Sequence, residues 1–202
     1  MGKPTIYGIS SSRAFRSIWA IEECGVDYEH VGTSFRGDAQ APEYLEVNPN
    51  GRIPALKDGD MTLFESMAIN MYLARTYAPQ LIPADSQGEA KTWQWSVWGI
   101  SEIEPLQMQI VVQKFFTPDE KKNDKVVRGA TKGLDRPLSV LNDTLSKQPY
   151  LLGQEFTLAD LNLAGVMELL NMIQFDLSQY AHVERWLGEC RGRDSYARAK
   201  AV

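Results

Sequence analysis

The sequence predicts a small α/β domain followed by an all-helical domain, and three observations carry that expectation. Up to about residue 78, short β-type runs alternate with helical ones in the order β-α-β-α-β-β-α. The stretch "PQLIPADSQG", residues 79–88, holds two prolines and several turn formers and reads as a linker. Beyond it no segment shows the period-two alternation of a strand, while apolar residues recur at helical spacing. The implied domain boundaries are 1–80, a linker over 81–88, and 89–202.

Each element has a local reason. "PTIYGI" is β-branched and aromatic and reads as the first strand. "SSRAFRSIWAIEECG" reads as a helix with Phe15, Ile18 and Trp19 on one face and Gly25 as its stop. "VDYEHVGTSF" is a second strand, and a short helix is expected over Pro42 to Leu45. "IPALKD" and "MTLFE" flank Asp58-Gly59, a hairpin signal. "SMAINMYLARTYA" is a helix with Ser66 placed to cap it. In the second half, Gln87 to Phe116 reads as one long helix kinked at Pro105, with Trp93, Val97, Ile100, Glu104 and Gln107 on one side. Asp119 to Lys147 reads as a polar helix. "TLADLNLAGVMELLNMI" is apolar on most faces and is expected at the centre. "AHVERWLGECRGR" is a short amphipathic helix.

Composition narrows the function. The chain has 202 residues, 44% hydrophobic and 23% charged, as in an ordinary globular protein. A net charge of −5 without a basic tract argues against nucleic acid as a partner. No apolar run approaches the ~18 residues of a membrane span, and the N-terminus lacks a signal peptide's apolar core. Tyr7 stands where a myristoylation signal needs Ser or Thr. Two cysteines, Cys24 and Cys190, and two isolated histidines give neither a disulfide framework nor a metal site. A cytoplasmic protein with reduced cysteines and no metal is expected.

Four short motifs are candidates for chemistry. In "NPNGRIPAL" a proline stands second in a strand-like run, where it cannot donate to a ladder. Two readings are open: a trans proline on an edge strand, or a cis Ile53-Pro54 bond that leaves the Ile53 backbone free to pair with an extended peptide. In "FES", the helix start at Ser66 favours a carboxylate and Glu65 an ammonium, the two halves of an amino-acid head group. In "SSSRAFR", Ser10, Ser11 and Ser12 precede a helix without a His or Asp placed to activate them, so they read as hydrogen-bond donors rather than nucleophiles. In "FTLADL", Thr157 and Asp160 have capping-box spacing, and Phe156 and Leu161 can staple the same helix start.

In this order and spacing, "SRAFR", "NPNGRIPAL", "LFES" and "FTLAD" resemble the cytosolic glutathione transferase family over essentially the whole chain. The resemblance is to serine-type members, and general similarity points to bacterial ones. It implies a thioredoxin-like domain, a linker and a helical domain, and a homodimer. It implies that Pro54 is cis and that the Ile53 backbone pairs with the cysteinyl part of glutathione. Asn50 and Arg52 would lie at the glycyl end, and Glu65 and Ser66 at the γ-glutamyl head group. The S-x-x-x-R spacing of Ser12 and Arg16 favours Ser12 as the residue that stabilises the thiolate, ahead of Ser11, Ser10 and Tyr7, with Arg13 as a nearby positive charge. Glutathione would be a co-substrate, added to a small apolar electrophile between the domains. Trp93, Trp98, Met108, Phe115 and Phe116 are candidates for that electrophile's apolar wall. A glutathione-dependent peroxidase, reductase, dehalogenase or isomerase is the alternative on the same site. A non-catalytic glutathione- or protein-binding module is the alternative of another class.

Overall fold

The computed structural model describes residues 2–202. The chain divides into two compact units, one of residues 2–84 with 191–202 and one of residues 85–190.

The first unit is built on a four-stranded mixed sheet. Strand β1 (Thr5–Tyr7) is central and pairs in parallel with β2 (Glu29–Val31) across helix α1 (Phe15–Cys24). On its other side β1 pairs antiparallel with β3 (Ala55–Asp58), which forms a hairpin with β4 (Met61–Phe64), giving the order β2-β1-β3-β4. Gly25 ends α1 in the left-handed conformation that glycine adopts without steric cost. Alternation along the strands divides the core. Tyr7 and Ala55 pack with Tyr44 of the one-turn helix α2 (Pro42–Leu45), Val47 and Ile53. Ile6 and Leu56 are turned to the opposite face and are fully buried. Helix α3 (Ser66–Tyr77) packs on α1 and contributes Ile69 and Leu73 to the core.

One expected element changes here. The helix read from Ser11 starts at Phe15, because Ser11 to Ala14 form turns instead.

The second unit is helical. The single long helix expected over Gln87–Phe116 is interrupted. Helix α4 (Ser86–Trp98) is capped by Asp85, whose carboxylate accepts from the Gln87 and Gly88 N–H groups. A π-helical turn comes next over Gly99–Ile103, then α5 (Glu104–Val111), then a second π-helical turn over Val112–Phe116. Gly99 allows a close approach to helix α7 (Leu158–Ile173), since a Cβ there would lie 2.8 Å from Leu163 Cδ1. The expected helix over 119–147 is a 3₁₀ turn and then α6 (Asp124–Leu145), which Asn123 caps. Helix α7 is buried along most of its length and forms the centre of this unit. Asp160 explains its start: the Thr157 N–H and hydroxyl both donate to Asp160 Oδ2, each at 2.9 Å, while Oδ1 accepts from the Leu151 N–H and Trp186 Nε1.

Helix α8 (Ala181–Arg191) runs to the boundary of the two units. A further helix that the sequence pattern did not separate, α9 (Asp194–Ala201), packs on α1. The helical segment expected as 89–202 is therefore divided, with residues 191–202 in the first unit. No helix of the described residues is long and apolar enough to cross a membrane.

Candidate active site

Three chain segments meet at one end of the sheet in the first unit. The register explains why. Tyr7 pairs with Ala55, and Ala55 with Phe64. The loop after β1, the residues before β3 and the residues after β4 are therefore neighbours. A Cβ built on Gly8 would sit 3.5 Å from Ile53 Cβ.

The Ile53-Pro54 bond is cis. Of the two readings that the sequence left open, this is the one that frees the Ile53 backbone. The segment before it is fixed in detail. The Tyr44 hydroxyl and Asn48 Nδ2 both donate to the Arg52 carbonyl at 2.6 Å. Asn48 Oδ1 accepts from the Asn50 N–H at 3.1 Å and from Asn50 Nδ2 at 3.0 Å, an Asx turn. Gln40 Nε2 donates to the Gly51 carbonyl at 2.8 Å, and Gly51 has φ +59°. Burial pushes the Tyr44 hydroxyl pKa up to about 12, which keeps it a donor. Arg52 and Asn50 keep their side chains exposed.

The expected Ser66 cap takes another form. Ser66 is the first helical residue of α3, not its cap, and Glu65 occupies the cap position without a side-chain hydrogen bond to the helix. Glu65 has φ +71°, uncommon for a residue with a side chain. The N–H groups of Ser66, Met67 and Ala68 have no acceptor among the described residues, the first bonded one being Ile69 to the Glu65 carbonyl. The helix end is therefore open, with free donors and the positive end of its dipole.

The serine loop shows three different environments. The Ser12 hydroxyl donates to the Ile9 carbonyl at 2.7 Å and accepts from the Ala14 N–H at 3.1 Å. The Ser10 hydroxyl donates to the Val202 main-chain oxygen at 2.7 Å. Ser11 and Arg13 are exposed. Tyr7 lies within β1, edge-on to Tyr44 with ring centroids 5.8 Å apart. The first N–H groups of α1 are taken by the Ser12, Arg13 and Ala14 carbonyls, so α1 offers a dipole but no free donor in its first turn.

Sequence reasoning missed the supports of this site: Gln40, Tyr44 and His30, whose Nε2 donates to the Gly8 carbonyl at 2.7 Å. Asn48 opens the "NPNGRIPAL" motif, but its role as both donor and acceptor was not read from the sequence. The described residues contain no group of three or more His, Cys, Asp or Glu that could hold a metal ion. In the helical unit Trp93, Phe115 and Phe116 are exposed, and Trp98 packs edge-on against Trp95. None of them, nor Met108, lines the cavity of about 310 Å³ between α5, α6 and the segment after α7.

A thioredoxin-like sheet with a cis-proline before β3 and an open α3 start, joined to an α-helical unit, defines the class of glutathione-binding transferase folds. Similarity to known proteins agrees. "Glutathione S-transferase, N-terminal domain" describes residues 3–75 and "Glutathione S-transferase, C-terminal domain" residues 103–194. The chain belongs to the glutathione S-transferase family. Two maize proteins are similar to it. Glutathione S-transferase 4 is 35% identical, over 85% of this chain and 79% of the relative. Glutathione S-transferase 1 is 34% identical, over 100% of this chain and 98% of the relative. Among solved structures, glutathione S-transferase-I bound with lactoylglutathione superimposes with a TM-score of 0.88 at 32% identity, covering 99% of each chain. A theta class enzyme from Xanthomonas axonopodis pv. citri with glutathione bound gives a TM-score of 0.91 at 28% identity, covering 100% of this chain and 99% of the other.

Proposed function

We propose that this glutathione transferase is of the serine type, binding glutathione in the first unit and activating its thiol through Ser12 for addition to an apolar electrophile. The observation that carries the reading is the open N-terminus of α3 beside Glu65: three unpaired N–H groups suit the γ-glutamyl carboxylate, and Glu65 suits its ammonium. The Ile53 main chain takes the cysteinyl residue by strand-like pairing. Asn50, Arg52 and Arg13 supply polar and positive groups around the remaining carboxylate and the thiol.

The chemistry is governed by the acidity of sulfur. A cysteine thiol with pKa near 8.5 is mostly protonated at pH 7, and only the thiolate attacks an electrophile. Ser12 now gives its proton to the Ile9 carbonyl. Rotation about χ1 would exchange that neutral acceptor for an anionic sulfur, and a bond to a charged acceptor is the stronger. Each unit by which the thiol pKa falls corresponds to about 1.4 kcal/mol, and a fall of roughly two units leaves most of the bound thiol ionised at pH 7. Exposed Trp93, Phe115 and Phe116 offer apolar surface for the second substrate. The protein acts in the cytoplasm as a homodimer, without a metal.

Calorimetric titration with glutathione tests the site. Binding weakened about tenfold by Ser66→Ala is expected, the scale of one charge-assisted bond. In Ser12→Ala the ultraviolet thiolate absorbance of bound glutathione should appear only at higher pH. An unchanged thiolate titration would remove Ser12 from its role.

A further inference from the structure

The Ser10 hydroxyl makes a contact that thiol activation does not use. It donates to the main-chain oxygen of Val202, 192 residues away in sequence and immediately after α9. The anchor on the other side is firm. Arg193 and Ser195 both bond the Glu23 carboxylate of α1, and Arg198 bonds Glu22 through Nε at 2.7 Å. Trp19 Nε1 donates to the Ser195 hydroxyl at 3.1 Å. Tyr196 stands edge-on to both Phe15 and Trp19, and Lys200 Nζ lies 4.0 Å from the Phe15 ring centroid. Helix α9 is thus fixed to the helix whose first residue comes directly after the serine loop. At the loop's other end His30 holds the Gly8 carbonyl.

Resting on the assignment of Ser12 above, we propose that Ser10 is a positioning residue, and that its bond to Val202 ties the thiol-activating loop to α9 and sets where the Ser12 hydroxyl stands. Ser10 spends its proton on Val202 and has none for sulfur. Among the described residues the Ser12 hydroxyl bonds only Ile9 and Ala14, both close in sequence. The link to α9 therefore adds a tertiary restraint on the loop to those that His30 gives at Gly8 and α1 gives after Ala14. Without it the Ser12 hydroxyl would be in place for a smaller fraction of the time, and the bound thiol would be less acidic.

The test compares Ser10→Ala and Ser10→Thr in the full chain with Ser10→Ala in a chain that stops at Ala201. Three quantities are read: the thiolate titration of bound glutathione, kcat/KM with a model aromatic electrophile, and amide hydrogen exchange over Ile9 to Phe15. In the full chain Ser10→Ala should raise the thiol pKa and lower kcat/KM roughly three- to tenfold, the scale of one net hydrogen bond. Exchange at Ser12 and Phe15 should quicken, and threonine should restore all three quantities. In the shortened chain Ser10→Ala should add nothing, because its acceptor is gone. If Ser10→Ala loses as much in the shortened chain as in the full one, the hydroxyl acts on substrate directly and the proposal is wrong. Unchanged exchange and unchanged titration in the full chain would also overturn it. If the unaltered protein binds no glutathione, the functional reading fails, and the exchange measurement alone decides the role of Ser10.

Discussion

Gly8 shows how one residue shapes the site. It has φ +139°, and a Cβ there would lie 2.3 Å from Ala14 Cβ. Both atoms are attached directly to backbone, so neither can swing away. Gly8→Ala must move the serine loop or destabilise the unit, and overpacking of this kind costs about 1–3 kcal/mol before the strained φ is counted. A lower urea midpoint together with loss of glutathione binding is the expected result. At this scale the sequence was legible where a motif is short and local. The Thr157–Asp160 box could be read because its partners are near in sequence, whereas the Ile53-Pro54 step by itself left cis and trans open and only the family resemblance implied cis. His30, Gln40 and Tyr44 could not be read, since each acts on a carbonyl made available only by tertiary folding.

Among the elements, α7 depends most on one side chain. Asp160 is fully buried and accepts four hydrogen bonds, three of them from groups that can only donate. Burial pushes its carboxyl pKa up, and those donors oppose the shift. Asp160→Ala would orphan the Trp186, Leu151 and Thr157 N–H groups together, at a cost of about 3–5 kcal/mol. Chemical denaturation should show this loss, while Thr157→Ser, which keeps the hydroxyl, should cost far less. The α4–α5 region is where sequence reading went wrong in phase. The face expected from Trp93, Val97, Ile100, Glu104 and Gln107 is not one face: Trp93 and Val97 are 38% and 50% exposed, whereas Glu104 and Gln107 are 8% and 0% exposed. The π turn over Gly99–Ile103 lies between the two groups, and one extra residue in a helix rotates every later residue by about 100°. A period of 3.6 cannot reveal its own interruption.

For the whole molecule, the Glu23 cluster makes stability depend on pH. Burial alone would raise the Glu23 carboxyl pKa, but the bonds from Arg193 and Ser195 and the charges of Arg193 and Arg198 outweigh it, and the net shift is downward. A carboxylate with a lowered folded pKa stabilises fully above its unfolded value near 4.3 and loses that contribution as pH falls through the folded value. The urea midpoint should therefore drop as pH falls through and below 4, and Glu23→Gln should flatten part of that drop while costing about 1–2 kcal/mol at pH 7. Light scattering should give twice the 22.7 kDa chain mass, and a monomer would contradict the proposed dimer. The order of sheet and helices was legible because hydrophobic period reports burial. The return of residues 191–202 to the first unit was not, because nothing local in that segment names α1 as its partner.

The two π turns also bear on how such a chain can change over time. A single codon lost from Gly99–Ile103 would turn α5 and the Val112–Phe116 segment by about a third of a revolution while leaving every side chain there unaltered in kind. Phe115 and Phe116 would then face a new direction. A lineage could redirect these exposed aromatic side chains by adding or dropping one residue in mid-helix, and a comparison of aligned residue types alone would miss the event.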